Sequence, residues 1–120
     1  METGLKHTST LVVDEAHSAQ AMGSGDMPVL ATPAMLALME NAAMLAVKDE
    51  LDEGNTTVGG YIESSHLHPT KIGETVNATA ELTKIEGRKL YFHICAHQGD
   101  VLIGEGEHLR FVVNKEKFMK

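Results

Sequence analysis

The sequence predicts an α+β fold, in which an antiparallel sheet of five strands curls around one long buried helix. Two observations support this prediction. The stretch TPAMLALMENAAMLAV (residues 32–47) is almost entirely apolar and has the length of a helix rather than of a strand. One segment with strand character precedes it and four follow it, so the strands must cover a single helix and lie beside one another in the sheet.

The first strand and the segment after it differ sharply in composition. Residues Leu5 to Val13 contain the β-branched series TSTLVV, which favours a strand. The next segment, from Asp14 to Met27, is rich in Ala, Gly, Ser and Asp and follows neither a helical nor a strand period. We therefore predict a strand followed by a loop.

The helix is predicted to begin at Thr32 and to continue to about Leu51. Thr followed by Pro is a typical helix start, because the Thr hydroxyl can cap free amides and a proline at the first helical position has no amide to lose. Gly54 and Asn55 then supply stop signals. The apolar surface runs nearly all the way round this helix, which predicts that other structure surrounds it.

Four strands are predicted after the helix, beginning with TTVGGYIESSHLH (residues 56–68). VNATAEL (76–82) and KLYFHICAH (89–97) place apolar residues at alternate positions, as half-buried strands do. The last strand runs from about Val101 to Val113, and EGRK and QGD have the composition of hairpin turns. Such a sheet, curled around one helix, is the hotdog architecture.

Composition and charge limit the class of protein. With 120 residues, 42% of them hydrophobic, we expect one domain over residues 1–120. The 17 acidic and 10 basic residues give a net charge of −7 without a Lys/Arg cluster, so nucleic acid is not an expected partner. Cys95 is the only cysteine, the start METGLKHTST lacks the apolar core of a signal peptide, and no apolar run reaches the roughly 20 residues that span a bilayer. We expect a soluble, cytoplasmic protein without a membrane segment.

Glu40 is the one carboxylate inside the apolar helix. A buried charge is costly unless something pairs with it, and desolvation by neighbours such as Ala43 and Met44 would raise its basicity. Two interpretations stay open from the residues alone. Glu40 either lies on a single wet edge of the helix or takes part in chemistry.

Four stretches of the chain, ATPAMLALMENAA, GGYIESSHLHPTKIGETVNATAEL, IEGRKLYFHICAH and IGEGEHLRF, resemble the fluoroacetyl-CoA thioesterase-like family of hotdog thioesterases. The resemblance extends from about Thr10 to Phe118. It implies an enzyme that hydrolyses a short or small acyl-CoA to free acid and CoA without a cofactor. The segment HSAQAMGSGDMPVLA (17–31) has no phenylalanine, whereas the fluoroacetyl-specific enzyme carries aromatic residues in its lid. Fluoroacetyl selectivity is therefore not predicted.

The resemblance also implies three catalytic residues, Thr32, Glu40 and His66, and two substrate-binding residues, Gly59 and Arg110. A second glycine, Gly60, follows Gly59 in this sequence, and we include it among the predicted substrate-binding residues. Glu40 would be the base or nucleophile, assisted by His66 and Thr32. Gly59 would lie near the thioester carbonyl, and Arg110 would contact the CoA portion or support the site. The chemistry agrees with this set, since thioester cleavage needs an attacking water or carboxylate, donors for the developing oxyanion and control of protonation.

Simpler roles exist for several of these residues. N-capping would explain Thr32 by itself, and eight helical residues rise about 12 Å, so its hydroxyl cannot touch Glu40. The glycines in the strand can mark a bulge or a bend as well as the close approach of a ligand. Hotdog domains can also bind acyl-CoA without cleaving it, so a non-catalytic binding module is an alternative function.

The histidines raise a further alternative. GGYIESSHLHPTKIGE is close to the first cupin metal motif, with His66 and His68 on one side of a strand. The match fails in detail, because Glu74 falls late and Pro69 follows the pair at once. We therefore predict no metal site, and we expect His93 and His97 to be exposed or at an interface.

A homodimer, or a higher oligomer, is the predicted assembly, with the active site at or beside the subunit interface. One sheet curled around one helix leaves a sheet edge and an apolar flank exposed. Thr32 and Glu40 are too far apart to cooperate directly, so a substrate between two subunits is the simplest way to engage both.

Overall fold

The computed structural model describes residues 1–120. A 16-residue helix, α2 (Thr32–Val47), lies against an antiparallel sheet of five strands. The strands are β1 (Lys6–Val12), β2 (Asn55–Ser64), β3 (Thr75–Glu86), β4 (Lys89–Gln98) and β5 (Val101–Asn114). Two short helices, α1 (Ala19–Met22) and α3 (Lys115–Phe118), complete the chain. The predicted α+β hotdog fold is confirmed.

The strands are arranged in the order β1-β3-β4-β5-β2, so that β1 and β2 form the two edges of the sheet. Both predicted hairpin turns are present. Gly87 in the first turn and Gly99 in the second have φ values of 63° and 59°, the left-handed conformation that glycine adopts without a steric cost. Short turns make β3, β4 and β5 neighbours, whereas β2 follows the helix and is left with one free edge.

The core lies between one face of α2 and the inward residues of the sheet. The fully buried members on the helix and on the two central strands are Met35, Met39, Ala42, Ala43, Val47, Val76, Ala78, Ala80, Leu82, Leu90, Phe92, Ile94 and Ala96. Burial of each large apolar side chain stabilises the fold by roughly 1.5–3 kcal/mol, and the alanines allow the helix to approach the strands closely. On the opposite face of α2, Ala37 and Asn41 are exposed. The prediction that other structure surrounds the helix is therefore wrong for a single chain, because the sheet covers only one face.

Two local predictions also differ from the structure. The segment Asp14 to Met27 is not a plain loop, because it contains a 3-10 turn (Glu15–His17) and α1. Side chains cap both turns: Asp14 accepts a hydrogen bond from the Ala16 amide at 2.8 Å, and Ser18 accepts one from the Ala21 amide at 3.1 Å. At its other end, α2 stops at Val47 and continues only as a 3-10 turn (Lys48–Glu50).

None of the helices combines the length and the apolar character that a membrane span requires.

The strand β2 is shorter than predicted, since its ladder ends at Ser64. The extended backbone nevertheless continues, because the amides of Ser65 and Leu67 donate hydrogen bonds to the carbonyls of Glu105 and Ile103 at 3.0 and 2.7 Å. His66 therefore lies just past β2.

Candidate active site

The six residues predicted for the site form two groups that are separated along α2. Thr32 and His66 meet at the start of the helix. Glu40, two turns further on, meets Arg110 and Gly59 from the sheet. The structure does not bring the two groups together within one chain, since about 12 Å of helix separates Thr32 from Glu40.

Thr32 does not cap the helix, so that part of the prediction is wrong. Ala31 occupies the N-cap position without a side-chain hydrogen bond, and Thr32 is the first helical residue. The amides of Leu30 and Ala31 donate to the carbonyls of Thr70 and His17, both at 2.8 Å, and this fixes the entry of the chain one residue before Thr32. The Thr32 hydroxyl is thus free to bond His66, with Oγ1 2.7 Å from Nδ1.

The second ring nitrogen of His66 has no partner. Its Nε2 atom is buried and makes no hydrogen bond in the structure, and burial lowers the pKa of the imidazole, which is therefore neutral at pH 7. The Thr32 bond permits two tautomers, which leave Nε2 either as a free acceptor or as a free N–H donor. An unsatisfied buried polar atom costs free energy, so this nitrogen is suited to meet a ligand.

A cleft of about 400 Å³ adjoins this pair. Its walls come from the segment between α1 and α2, including Met27 and Leu30, and from residues 66–69. No Phe, Tyr or Trp lines it. Thr32 and His66 both belong to its lining, so a molecule in the cleft can reach their polar atoms.

Glu40 is half-buried and paired. Its side chain is 42% exposed, and Oε2 lies 3.8 Å from Nη1 of Arg110, whose side chain is 8% exposed. The carboxylate therefore reaches solvent on one side, as the wet-edge interpretation predicted, and faces a buried cation on the other; its part in chemistry stays a prediction. The predicted desolvation by apolar neighbours is only partial.

Arg110 is held by Thr57 of the neighbouring strand β2. Its Nε–H donates to the Thr57 hydroxyl at 2.8 Å and Nη2–H donates to the Thr57 carbonyl at 3.0 Å. Burial lowers the pKa of Arg110 and the Glu40 carboxylate raises it. A guanidinium stays charged even so, which leaves a fixed positive charge behind the Glu40 carboxylate.

His108 completes this group and was missed in the sequence. Since it lies two residues before Arg110 in β5, the alternation of side chains places both on the inner face, and this signal could have found it. His108 is 2% exposed, its Nδ1 lies 2.7 Å from the Tyr61 carbonyl, and its Nε2 lies 3.2 Å from Nη1 of Arg110. Burial is the largest effect and lowers the pKa of His108; the hydrogen bond to the Tyr61 carbonyl raises the pKa, and weaker contributions come from Arg110, which lowers it, and Glu40, which raises it. His108 is therefore neutral.

The two glycines of β2 differ in what lies beside them. Gly59 pairs with Arg110, and a Cβ at Gly59 would lie 2.8 Å from Oε2 of Glu40. Gly60 is the extra residue of a β-bulge, and a Cβ there would overlap the ring of Phe111. The predicted bulge is thus confirmed at Gly60, and the approach of a ligand to Gly59 stays a prediction. Gly59 allows the carboxylate to approach the backbone, and Gly60 forms the bulge.

The residues of the cupin-like alternative do not assemble. His68 and Glu74 are exposed, and no three His, Cys, Asp or Glu side chains of the chain converge in a way that could hold a metal ion. On the outer face of the sheet, Nε2 of the half-buried His93 lies within hydrogen-bond distance of Oε2 of Glu105, at 3.0 Å. The donor set for a metal centre is therefore missing.

The curled sheet, the central helix and a carboxylate facing a glycine of β2 define the hotdog thioesterase class. The family model described as "FlK: Fluoroacetyl-CoA-specific thioesterase" matches residues 13–116. This chain belongs to that family, and the resemblance predicted from the sequence is confirmed.

Individual relatives agree with this assignment. The fluoroacetyl-CoA thioesterase of Streptantibioticus cattleyicolor is 42% identical over 90 residues, which are 75% of this chain and 65% of that protein, slightly under two thirds of its length. A structure of a variant of the thioesterase FlK in complex with acetyl-CoA superposes with a TM-score of 0.94 at 34% identity, covering 99% of this chain and 94% of the other. A thioesterase superfamily member from Thermus thermophilus gives a TM-score of 0.91 at 28% identity, covering 98% and 88%.

Proposed function

We propose that this chain is an acyl-CoA thioesterase, which hydrolyses an acyl-CoA and water to a free acid and CoA. The observation that carries the proposal is the Glu40 carboxylate, which lies against the bare backbone of Gly59 with the buried Arg110 behind it. A module that only bound acyl-CoA would have no need of such a carboxylate. The oxygens of the Glu40 carboxylate can instead reach a substrate group that lies along β2.

In the proposed reaction Glu40 is the base or the nucleophile. As a base it takes a proton from water while the water oxygen bonds to the thioester carbonyl carbon. As a nucleophile it bonds to that carbon itself and forms an anhydride, which water then cleaves. On either route the C–S bond breaks, and the CoA sulfur leaves as a thiolate that takes up a proton. Arg110 places a fixed positive charge 3.8 Å from one carboxylate oxygen and leaves the exposed side of the carboxylate free.

In the proposed reaction, the Thr32–His66 pair stabilises the oxyanion that forms on the thioester carbonyl. If the Thr32 hydroxyl donates to Nδ1, His66 presents Nε2–H to the oxyanion that develops on the carbonyl. Burial lowers the pKa of His66, so the ring is neutral at pH 7. A neutral imidazole with its proton on Nε2 can donate this hydrogen bond directly. The cleft beside the pair would hold the acyl-CoA.

We propose a small acyl group as the substrate. The relative from Streptantibioticus cattleyicolor is named for fluoroacetyl-CoA, and a FlK variant was solved with acetyl-CoA. The cleft beside Thr32 and His66 has no Phe, Tyr or Trp among its walls, and it lacks the lid phenylalanine whose absence was noted in the sequence, so we propose no selectivity for a fluorinated acyl group. We also propose a cytoplasmic location, in agreement with the free thiol of Cys95.

A homodimer would bring the two groups to one substrate. The β2 edge of the sheet has no neighbour, Gly59, Gly60 and Tyr61 are exposed along it, and one side of α2 is also open. Pairing of two β2 edges would satisfy the free backbone groups. A substrate between the subunits could then meet Thr32 and His66 on one side and Glu40 on the other.

A turnover assay tests the proposed function directly. Purified protein is incubated with acetyl-, fluoroacetyl- and longer acyl-CoAs, and the released CoA thiol is measured. We expect Glu40→Gln to lower kcat by about a hundredfold or more, because it removes the reacting carboxylate with almost no change in shape. Glu107→Gln, at an exposed carboxylate on β5, is the matched control.

Two results would contradict the proposal. Hydrolysis by Glu40→Gln at the parental rate would make Glu40 structural, and tight binding of acyl-CoA without any turnover would favour the binding module. The assembly is tested by size-exclusion chromatography with light scattering, which should show about twice the mass of one chain. Full activity at single-chain mass would overturn the homodimer.

A further inference from the structure

His108 is a buried polar residue that the proposed reaction does not use, yet it touches the group that does. We propose that His108 is a positioning residue for the Glu40–Arg110 pair, which accepts a hydrogen bond from Arg110 and so keeps the guanidinium from closing onto the carboxylate. This inference rests on the proposed function, because it assigns His108 a part in keeping Glu40 reactive.

The tautomer of His108 follows from its partners. A backbone carbonyl can only accept, so Nδ1, 2.7 Å from the Tyr61 carbonyl, must carry the proton. Nε2 then has a lone pair and accepts a hydrogen bond from Nη1–H of Arg110 at 3.2 Å. The ring cannot turn without losing both bonds, and it lies 6.1 Å from the ring of Phe92. The imidazole is therefore a fixed acceptor.

The geometry of Arg110 shows what this acceptor does. Thr57 binds Nε and Nη2, which leaves Nη1 as the nitrogen that faces both His108 and Glu40. Nη1 is within hydrogen-bond distance of His108 but 3.8 Å from Oε2 of Glu40, too far for a direct hydrogen bond. Nη1 carries two N–H groups, so His108 does not use up its donors; the hydrogen bond to His108 instead holds Nη1 in place at this distance from the carboxylate.

A direct bond between Arg110 and Glu40 would reduce reactivity. A charge-assisted hydrogen bond occupies a lone pair of the carboxylate and shortens the contact to about 2.7–2.9 Å. Closing the present distance of 3.8 Å to that length requires the two groups to approach by about 1 Å, which displaces the carboxylate from the position it holds in this structure. Reactions of this kind lose about a hundredfold in rate for a displacement of about 1 Å.

Three substitutions separate the two hydrogen bonds of His108. In His108→Gln the side-chain oxygen can take the place of Nε2 and accept from Arg110. In His108→Asn the shorter amide can take the place of Nδ1 and donate to Tyr61, but it does not reach Arg110. His108→Phe keeps the packing against Phe92 and removes both bonds. His93, in β4 on the outer face, is the control position for the same three changes.

We expect His108→Gln to keep kcat within about threefold of the parent, and His108→Asn and His108→Phe to lower kcat about ten- to hundredfold with little change in KM. The same changes at His93 should have no effect. Equal activity of the Asn and Gln variants, or a Phe variant as active as the parent, would overturn the inference. If the Phe variant fails to fold, the comparison of Asn with Gln still decides.

A crystal structure of His108→Asn gives a test that does not depend on turnover. The distance from Nη1 of Arg110 to Oε2 of Glu40 should shorten to hydrogen-bond length, and an unchanged distance of 3.8 Å would overturn the inference. Absence of hydrolysis in the parent protein would instead refute the proposed function.

Discussion

The neighbouring glycines Gly59 and Gly60 provide a sharp test of the site, because the same substitution should lower kcat at one position and stability at the other. Neither has a positive φ, so alanine is compatible with the backbone at both. The difference lies in what the added methyl group meets. At Gly59 it meets the mobile end of the Glu40 side chain, and at Gly60 it meets the ring of Phe111.

At Gly59 the methyl carbon would lie 2.8 Å from Oε2 of Glu40. A contact of ordinary length needs about 0.6 Å more, and the carboxylate can supply it by moving toward solvent. If a misplacement of about 1 Å costs about a hundredfold in rate, this shift costs about tenfold. Stability should change by less than about 1 kcal/mol, because Glu40 is half-exposed and alanine reduces the entropy of the unfolded chain.

At Gly60 the methyl group would overlap ring atoms of Phe111, which is part of β5. The ring and the bulge must move together, and overpacking of this kind costs about 1–3 kcal/mol. We therefore expect Gly60→Ala to lower the free energy of unfolding by that amount. Its kcat should be closer to that of the parent than the kcat of Gly59→Ala.

The assay combines acyl-CoA turnover with urea unfolding for each variant. The predicted result is a tenfold loss of kcat at constant stability for Gly59→Ala, and a loss of stability for Gly60→Ala. A Gly59→Ala protein with parental kcat would refute the reasoning, since it would show that the position of the Glu40 carboxylate does not limit the rate.

Three further predictions concern Thr32, pH and metals. Thr32→Val should lower kcat about tenfold, and Thr32→Ser should keep it near the parental value, because serine retains the hydroxyl that bonds His66. The free energy of unfolding in urea should stay within about 0.5 kcal/mol of the parent, because Thr32 does not cap α2. A Val variant with parental kcat and the loss of stability expected for a removed N-cap, about 1 kcal/mol, would contradict this. Burial lowers the pKa of both His66 and His108 from 6.5, so below about pH 6.5 the unfolded chain takes up protons that the folded chain does not. The free energy of unfolding should therefore fall as pH decreases through this window; unfolding at several pH values measures it, and a flat profile would disprove it. A chelator should leave acyl-CoA hydrolysis unchanged, because no cluster of metal-binding side chains exists, and one tightly bound metal per chain would revive a role for His66 and His68.

Much of the fold could be predicted from local patterns in the sequence. Alternation in VNATAEL and KLYFHICAH identified the inward faces of β3 and β4, and their alternate residues are fully buried. Gly87 and Gly99 marked turns whose conformation glycine favours. These features depend on near neighbours in the chain, so periodicity and turn composition are enough to find them.

The family resemblance named Glu40 and Arg110 but did not reveal how they meet. They are 70 positions apart and come into contact only because β5 lies beside β2 under the helix. His108 could have been proposed from its spacing to Arg110. Its tautomer, however, is set by the Tyr61 carbonyl, and no local pattern predicts that contact.

The sequence by itself determined the order of elements, the inward residues of the central strands, the apolar helix with one carboxylate, and the family. The tertiary structure decided which groups share a partner. The Thr32 hydroxyl bonds His66 because the N-cap position falls on Ala31, where backbone bonds from Leu30 and Ala31 fix the entry of the chain, and not on Thr32 as predicted. Glu40 lies between solvent, Gly59 and Arg110, and Arg110 also contacts His108. Hydrogen bonds between strands that are distant in sequence fix these distances, and no spacing along the chain encodes them.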